Sequence, residues 1–325
     1  LRRPARGFLL SPVSVQRHLC GVELSAKEIR QAVQAALAED IGGGDATTLA
    51  TVPPYAKSTA LMRAREPLVV AGIAFAEMAF REVAEKYYWR DQFKKMWPRG
   101  GVAPVIQIRL EKAAREGRQV KAGDTLLKIS GPARVILSAE RVALNFVQRL
   151  SGVATLTAQF VDAIKDTGAQ ILDTRKTTPG WRRFEKYAVA CGGGKNHRIG
   201  LFDMILIKDN HLAALKNEKP NAIAAAIQRA RKKFPKLKIE VEADTLEQAA
   251  QAANAGADII LLDNMNLKQL RAAVKIIAGR AKTEASGGVN LKTVRAIAAT
   301  GVDYISVGAL THSARAVDIG LDFEG

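Results

Sequence analysis

The first clear periodicity along the chain begins at Ser25. Ile29, Val33, Ala36 and Leu37 recur at helical spacing, and Ser25 with Glu28 occupies the two positions of a capping box. Gly42, Gly43 and Gly44, in EDIGGGDATT, end that pattern. Residues 58–72 and 102–136 alternate apolar and polar positions around Gly123, Gly131 and Pro132, which predicts short strands and turns. Between them, YYWRDQFKKMWPRGG (87–101) keeps neither period and reads as an insertion or a long loop. This first part is expected to be an α+β unit.

Past about residue 140 the rhythm changes. Six apolar runs rich in β-branched residues alternate with Ala-rich helical stretches: AQILDTRK (169–176), MILIK (204–208), KIEVEA (238–243), DIILLD (258–263), KTEAS (282–286) and DYISVG (303–308). Continuous apolar runs predict strands covered on both faces, as in a parallel sheet. The last four runs end at Glu242, Asp263, Ser286 and Gly308, a recurrence of about 22 residues that suits one strand, one short helix and two turns. Repeated βα units favour an α/β barrel over a doubly wound sheet. The absence of a GxGxxG after any of these strands points the same way.

Composition narrows the class. With 325 residues, 48% hydrophobic and 25% charged, there is chain enough for two domains and a sizeable core. The best candidate for a membrane span, residues 67–80, is too short and contains Glu77. Two cysteines, Cys20 and Cys191, cannot build a disulfide framework, and the spacing Cys191–His197–His211 is too weak to support a metal site. These features predict a soluble enzyme of a reducing compartment, expected in the cytoplasm. The Arg-rich start, with no acid before Glu23, keeps a transit segment open, and residues 1–23 are set aside as a tail.

The net charge of +17 raises nucleic acid, a membrane surface or an anionic small ligand as partners. Most of the cations are spread over amphipathic stretches, as solvated helix faces are, and few aromatics are interleaved with them for stacking bases. The informative charges close the apolar runs: Arg175 and Lys176, then Lys208, Glu242 and Asp263. The carboxyl ends of barrel strands converge on one mouth, where the active sites of such folds lie. SGGV (286–289) and SVGALTHS (306–313) follow the last two strands, the position where barrel loops bind phosphate through backbone N–H groups. CGGGKNHR (191–198) lacks P-loop spacing but places His197 and Arg198 beside a Gly-rich loop. The set describes a site for a multiply anionic ligand. Arg175, Lys176, Arg198 and Lys208 would neutralise carboxylates or phosphates. Glu242 and Asp263 would hold Mg²⁺ on a pyrophosphate, bind ribose hydroxyls, or face a developing positive charge.

DTRKTTPGWRRFEKYAVACGGGKNHRIGLFDMILIKDNHL (173–212) closely resembles the signature of the quinolinate phosphoribosyltransferase family, the decarboxylating nicotinate-nucleotide pyrophosphorylases. AERVALNFVQRLSG (139–152), EVEADTLEQA (240–249), LLDNM (261–265) and the stretch from EASGGV to the C-terminus carry the same likeness. The resemblance implies an α/β fold with an N-terminal α/β sandwich (24–144, rejoined by 311–325) and an open, incomplete α/β (TIM-like) barrel (145–310). It implies decarboxylating transfer of a phosphoribosyl group from phosphoribosyl pyrophosphate (PRPP) to quinolinate in NAD biosynthesis, with Mg²⁺ held by Glu242 and Asp263. Thr174, Arg175, Lys176, His197 and Arg198 would bind quinolinate, and Lys208, Glu242 and Asp263 would be catalytic. Ser286, Gly287, Gly288, Val307, Gly308 and Ala309, with His312 beside them, would take the ribose 5-phosphate. Arg141 would reach the site of a neighbouring subunit in a homodimer, with a hexamer as the larger assembly. Residues 1–22 and 87–104 exceed the family pattern. A nicotinate-specific phosphoribosyltransferase is the nearest rival; a basic nucleic-acid binder is disfavoured, because the cations gather beside two acids.

Overall fold

The computed structural model describes residues 22–87 and 107–324. Most of the N-terminal tail and of the 87–104 segment therefore lie outside the described residues. The chain opens with α1 (Ala26–Ile41), started by the expected reciprocal cap: Glu28 N–H donates to Ser25 Oγ, and Ser25 N–H donates to the Glu28 carboxylate. Its buried stripe is Ile29, Val33, Leu37 and Ile41. A short α2 (Ala46–Thr51) follows, then β1 (Lys57–Ala64), β2 (Leu68–Val69) and α3 (Ile73–Glu82), which runs on as a π-helical turn over 83–87. Next come β3 (Arg109–Lys112), β4 (Gln119–Val120) and β5 (Thr125–Pro132). The strands form a four-stranded antiparallel sheet in the order β12-β1-β5-β3, where β12 (Ile319–Glu324) is the C-terminal segment of the chain. β2 pairs separately with β4.

The predicted strand region ran to residue 136, but the chain turns helical after Pro132, whose extended backbone caps α4 (Ala133–Ala163). Proline has no N–H to leave unsatisfied at a helix start, so the switch from sheet to helix costs little there. α4 is 31 residues long and passes through 144/145 without interruption. The chain is thus divided by packing rather than by a linker. The apolar residues at the junction, Val142, Leu144, Phe146, Val147 and Leu150, are all buried within the chain. Phe146 stacks on Phe75 of α3 at 4.8 Å on one side and on Trp181 at 5.0 Å on the other, so one aromatic column ties both halves together.

All six predicted runs are strands: β6 (Gln170–Leu172), β7 (Ile205–Ile207), β8 (Ile239–Ala243), β9 (Ile259–Asp263), β10 (Lys282–Ser286) and β11 (Tyr304–Ser306). They form one parallel sheet in the order β6-β11-β10-β9-β8-β7. The intervening helices are α5 (Arg182–Cys191), α6 (Asp209–Ala213), α7 (Ala222–Lys233), α8 (Leu246–Asn254), α9 (Leu267–Ile277), α10 (Val294–Ala298) and α11 (Ala309–His312). The end strands β6 and β7 do not pair, so the barrel is open. Part of the gap is taken by Lys195, which bridges to Leu172 on the free edge of β6, with Lys195 N–H donating to Ile171 O at 2.8 Å. The Gly-rich loop after α5 is thereby laid along the seam.

Candidate active site

Alternation along a strand puts every second side chain on the same face. On β8 this aims Glu240 and Glu242 inward; on β10 it aims Glu284 and Ser286. Leu261 on β9 stands between them, paired with Glu242 on one side and Glu284 on the other. The carboxyl ends of the strands surround a cavity of about 380 Å³. Thr174, Arg175, Lys176, His197, Arg198, Lys208, Glu242, Asp263 and Ser286 line it, together with Leu206, Leu261, Glu284 and Ser306. Nine expected residues therefore meet in one mouth.

Four cations, Arg175, Lys176, Arg198 and Lys208, contribute to this lining. Arg175 is half-buried, and its Nε has no hydrogen-bond partner among the described residues. Arg198 donates from Nη1 to Met204 O at 3.1 Å; burial, and then the Arg175 charge, lower its pKa. Two guanidiniums held near each other in a partly desolvated pocket are an incomplete arrangement that an anion completes. Lys208 Nζ lies 2.9 Å from Glu242 Oε2, and Asn264 Nδ2 donates to Asp263 Oδ2 at 2.6 Å. Glu242, Asp244 and Asp263 place carboxylate oxygens within 4.8 Å of one another. Hard oxygen donors at that spacing fit Mg²⁺.

The remaining expected residues stand outside the cavity lining. Gly287 and Gly288 follow Ser286 with φ of 101° and 58°. A Cβ on Gly287 would stand 2.1 Å from Asn264 Oδ1, so only glycine fits this turn. The Val307 side chain is buried, leaving its backbone to the loop, and Ala309 opens α11. Gly308 sits against His312 and Lys176: a Cβ there would come 3.2 Å from His312 Nε2 and from Lys176 Cδ. Arg141 is exposed on α4 and does not line the cavity of its own chain.

The sequence reading missed two buried constructions. Lys186, fully buried on α5, pairs with fully buried Asp173 and donates to His197 O at 2.9 Å. Asp173 also accepts from Asn196 Nδ2 at 2.7 Å and from His197 N–H at 2.8 Å. This lattice clamps the start of the 173–176 loop to the seam loop and so fixes Arg175 relative to Arg198. The second construction is the fully buried pair Glu240 and Glu284 beneath His197. Burial first, then the Glu240 charge, pushes the Glu284 carboxyl up to about 8. Burial works against charge on the His197 ring; the two carboxylates outweigh it and raise its pKa. Glu240 lies two positions before Glu242, and Glu284 two before Ser286, so strand alternation alone could have signalled both. Among the described residues, Cys191 and His211 join no metal cluster; Cys191 is buried at the end of α5, and burial raises its thiol pKa well above the ordinary value.

Fold and site together define an α/β barrel whose mouth gathers cations and carboxylates beside glycine turns, the chemistry of a polyanion site. Residues 45–151 match the model of the quinolinate phosphoribosyl transferase N-terminal domain, and residues 153–322 that of its C-terminal domain. The chain belongs to the quinolinate phosphoribosyltransferase family. It is 43% identical over 297 residues to a Mycobacterium leprae protein named nicotinate-nucleotide pyrophosphorylase [carboxylating], covering 90% of this chain and 96% of the relative. It is 41% identical over 313 residues to a mitochondrial quinolinate phosphoribosyltransferase [decarboxylating] of Nicotiana glauca, covering 91% and 82%. The solved nicotinate-nucleotide pyrophosphorylase of Francisella tularensis superposes with a TM-score of 0.81 at 36% identity, over 93% of this chain and 98% of that one. Human nicotinic acid phosphoribosyltransferase, with a TM-score of 0.56 and 13% identity, shares the fold alone.

Proposed function

We propose that this chain joins quinolinate to PRPP with loss of CO₂, giving nicotinate mononucleotide and pyrophosphate for NAD biosynthesis. The observation that carries this reading is the pair of neighbouring guanidiniums, Arg175 and Arg198, lining one cavity together with Lys176 and the Lys208–Glu242 pair. A dicarboxylate offers one charge to each arginine, and Arg supports planar, bidentate pairing. Quinolinate, lying against these cations beside Thr174, would present its ring nitrogen to the carboxylate side of the mouth. There Glu242 and Asp263 would hold the ribose and Mg²⁺. Bound Mg²⁺ supplies charge for the departing pyrophosphate. Ser286, Gly287 and Gly288, with Val307, Gly308, Ala309 and His312, would cradle the 5-phosphate.

The ring nitrogen attacks C1 of PRPP as the bond to pyrophosphate breaks, and Lys208 sits where charge is redistributed. The resulting pyridinium then accepts the electrons of the C2–carboxylate bond as CO₂ leaves, and C2 takes a proton. No base is needed to activate an aromatic nitrogen. Arg141, exposed on α4, would complete the site of a second copy in a dimer. A cytoplasmic location belongs to the same proposal. The rival address is organellar: relatives from Nicotiana glauca and Arabidopsis thaliana are named mitochondrial and chloroplastic. Among the described residues, no helix is long and apolar enough to cross a membrane.

Product analysis with PRPP and either quinolinate or nicotinate tests the reading. Quinolinate is expected to be strongly preferred, because nicotinate leaves a partly buried cation unpaired. Comparable turnover of nicotinate would overturn it in favour of a nicotinate-specific enzyme. Tight, salt-dependent binding to random DNA without turnover of either substrate would support a nucleic-acid binder instead.

A further inference from the structure

His197 lines the cavity, and its side chain is only 8% exposed. Both ring nitrogens are already committed inside the chain. Nδ1 accepts the Arg198 backbone N–H at 2.8 Å. Nε2 faces downward, 2.9 Å from Glu240 Oε2 and 3.7 Å from Glu284 Oε2. The main chain of His197 is equally fixed, by Asp173 on its N–H and by Lys186 on its carbonyl. A histidine that bound a carboxylate of the ligand would need a free N–H aimed into the cavity. The ring has none to offer.

The floor beneath the ring explains why it stays in place. Glu240 and Glu284 are completely buried, and among the described residues none of their four oxygens accepts a well-aligned hydrogen bond. Unpaired buried carboxylates are costly unless a proton or a cation is close. The Nε2–H edge of His197 lies 2.9 Å from Glu240 Oε2, and the attraction holds the ring against the floor. The same carboxylates also favour a second ring proton, but that proton could only go on Nδ1. There it would meet the Arg198 N–H head-on.

We propose that His197 is a positioning residue rather than a ligand for the substrate, a strut carrying one proton on Nε2, anchored by Glu240 with Glu284 behind it and fixing the Arg198 main chain at the mouth. The contact to the anionic ligand then falls to the guanidinium of Arg198, with Arg175 and Lys176. This inference rests on the proposed quinolinate reading only for the identity of the ligand. The geometry of the strut belongs to the free protein.

Two measurements test it. The first uses the full wild-type chain labelled with ¹⁵N-histidine, with the His197 signals assigned through their loss in His197→Gln. The expected pattern is a singly protonated ring with the proton on Nε2, unchanged when quinolinate saturates the protein. A proton on Nδ1, in the free protein or on adding quinolinate, overturns the proposal. The second is calorimetric titration of Glu240→Gln with quinolinate, paired with steady-state kinetics. Misplacing an orienting contact costs roughly ten- to hundredfold. The dissociation constant and the KM for quinolinate are expected to rise by about that factor, with the KM for PRPP within about twofold of wild type. Unchanged quinolinate affinity, or equal losses for both substrates, overturns the anchoring role. Should Glu240→Gln fail to fold, the wild-type spectrum still decides the state of His197. Should the wild-type protein bind no quinolinate, the functional reading falls, and the spectrum of the free protein judges the strut by itself.

Discussion

Replacing Glu284 by glutamine should make the protein less sensitive to rising pH. Glu284 points into the barrel from β10, is fully buried, and faces Glu240 from β8, His197 from the seam loop and Ser306 from β11. Its carboxyl is pushed up to about 8 by burial and by Glu240, whereas in an unfolded chain it titrates near its ordinary value of 4.5. Between those two values the native state holds a proton that unfolding releases. The stability that this proton contributes is present in full below the unfolded pKa and is lost as pH rises through the folded one. The slope is ~1.4 kcal/mol per pH unit, or ~5 kcal/mol across the whole window. Glutamine copies the shape of the protonated acid and does not titrate. Urea unfolding of both proteins at pH 6 and pH 8 is the assay. The stability of wild type relative to Glu284→Gln should fall by about 2 kcal/mol over that interval, less than two full units' worth because titration is half complete at the upper end. Glu284 also raises the His197 pKa and is raised by Glu240, so the difference reports this carboxyl together with its coupling to those two neighbours. Stability curves that run parallel from pH 6 to pH 8 would refute the argument.

Lys186→Met should destabilise by about 3–5 kcal/mol, because it leaves Asp173 buried with its counter-charge gone; denaturant melts check this, and a loss under about 1 kcal/mol would contradict it. Gly287→Ala forces a Cβ into Asn264 and holds a non-glycine residue at φ 101°, a strain of about 1–3 kcal/mol at the phosphate turn; the KM for PRPP should rise while affinity for quinolinate is kept. Mixed dimers of inactive Arg141→Ala and Lys208→Ala chains should regain activity if Arg141 serves its neighbour's cavity. No recovery after demonstrated subunit exchange would count against a shared site.

The strands were legible because the chemistry that makes them leaves a plain trace. A strand covered on both faces must be apolar at consecutive positions, and all six such runs are strands. The functional mouth was legible for a related reason: residues such as Lys208 and Asp263 stand where an apolar run stops. Glu240 and Glu284 escaped notice because they stand inside their runs, where a charge looks like an interruption of the core rather than part of a site. Asp173 and Lys186 escaped because 13 positions of chain separate them and no local period joins them. α4 runs unbroken through Ser151 and Gly152. In the structure both residues answer to tertiary contacts: Ser151 Oγ receives the Ala71 N–H, and Gly152 leaves room for the backbone of Arg315.

α4 also limits how this molecule can move. At 1.5 Å per residue its 31 residues make a shaft about 46 Å long, and the sandwich and the barrel are both mounted on it. The segment around Arg315 presses against it so closely that a Cβ at Gly152 would lie 2.0 Å from Arg315 O. A continuous helix shared by both halves gives no flexible linker about which one half could swing against the other. Admission of substrates and release of products must be handled by the short loops at the barrel rim. The two halves also cannot be parted cleanly. A cut at either end of the shaft strips one of them of its axle, while a cut in the middle bares Phe146 and its stacked partners to water.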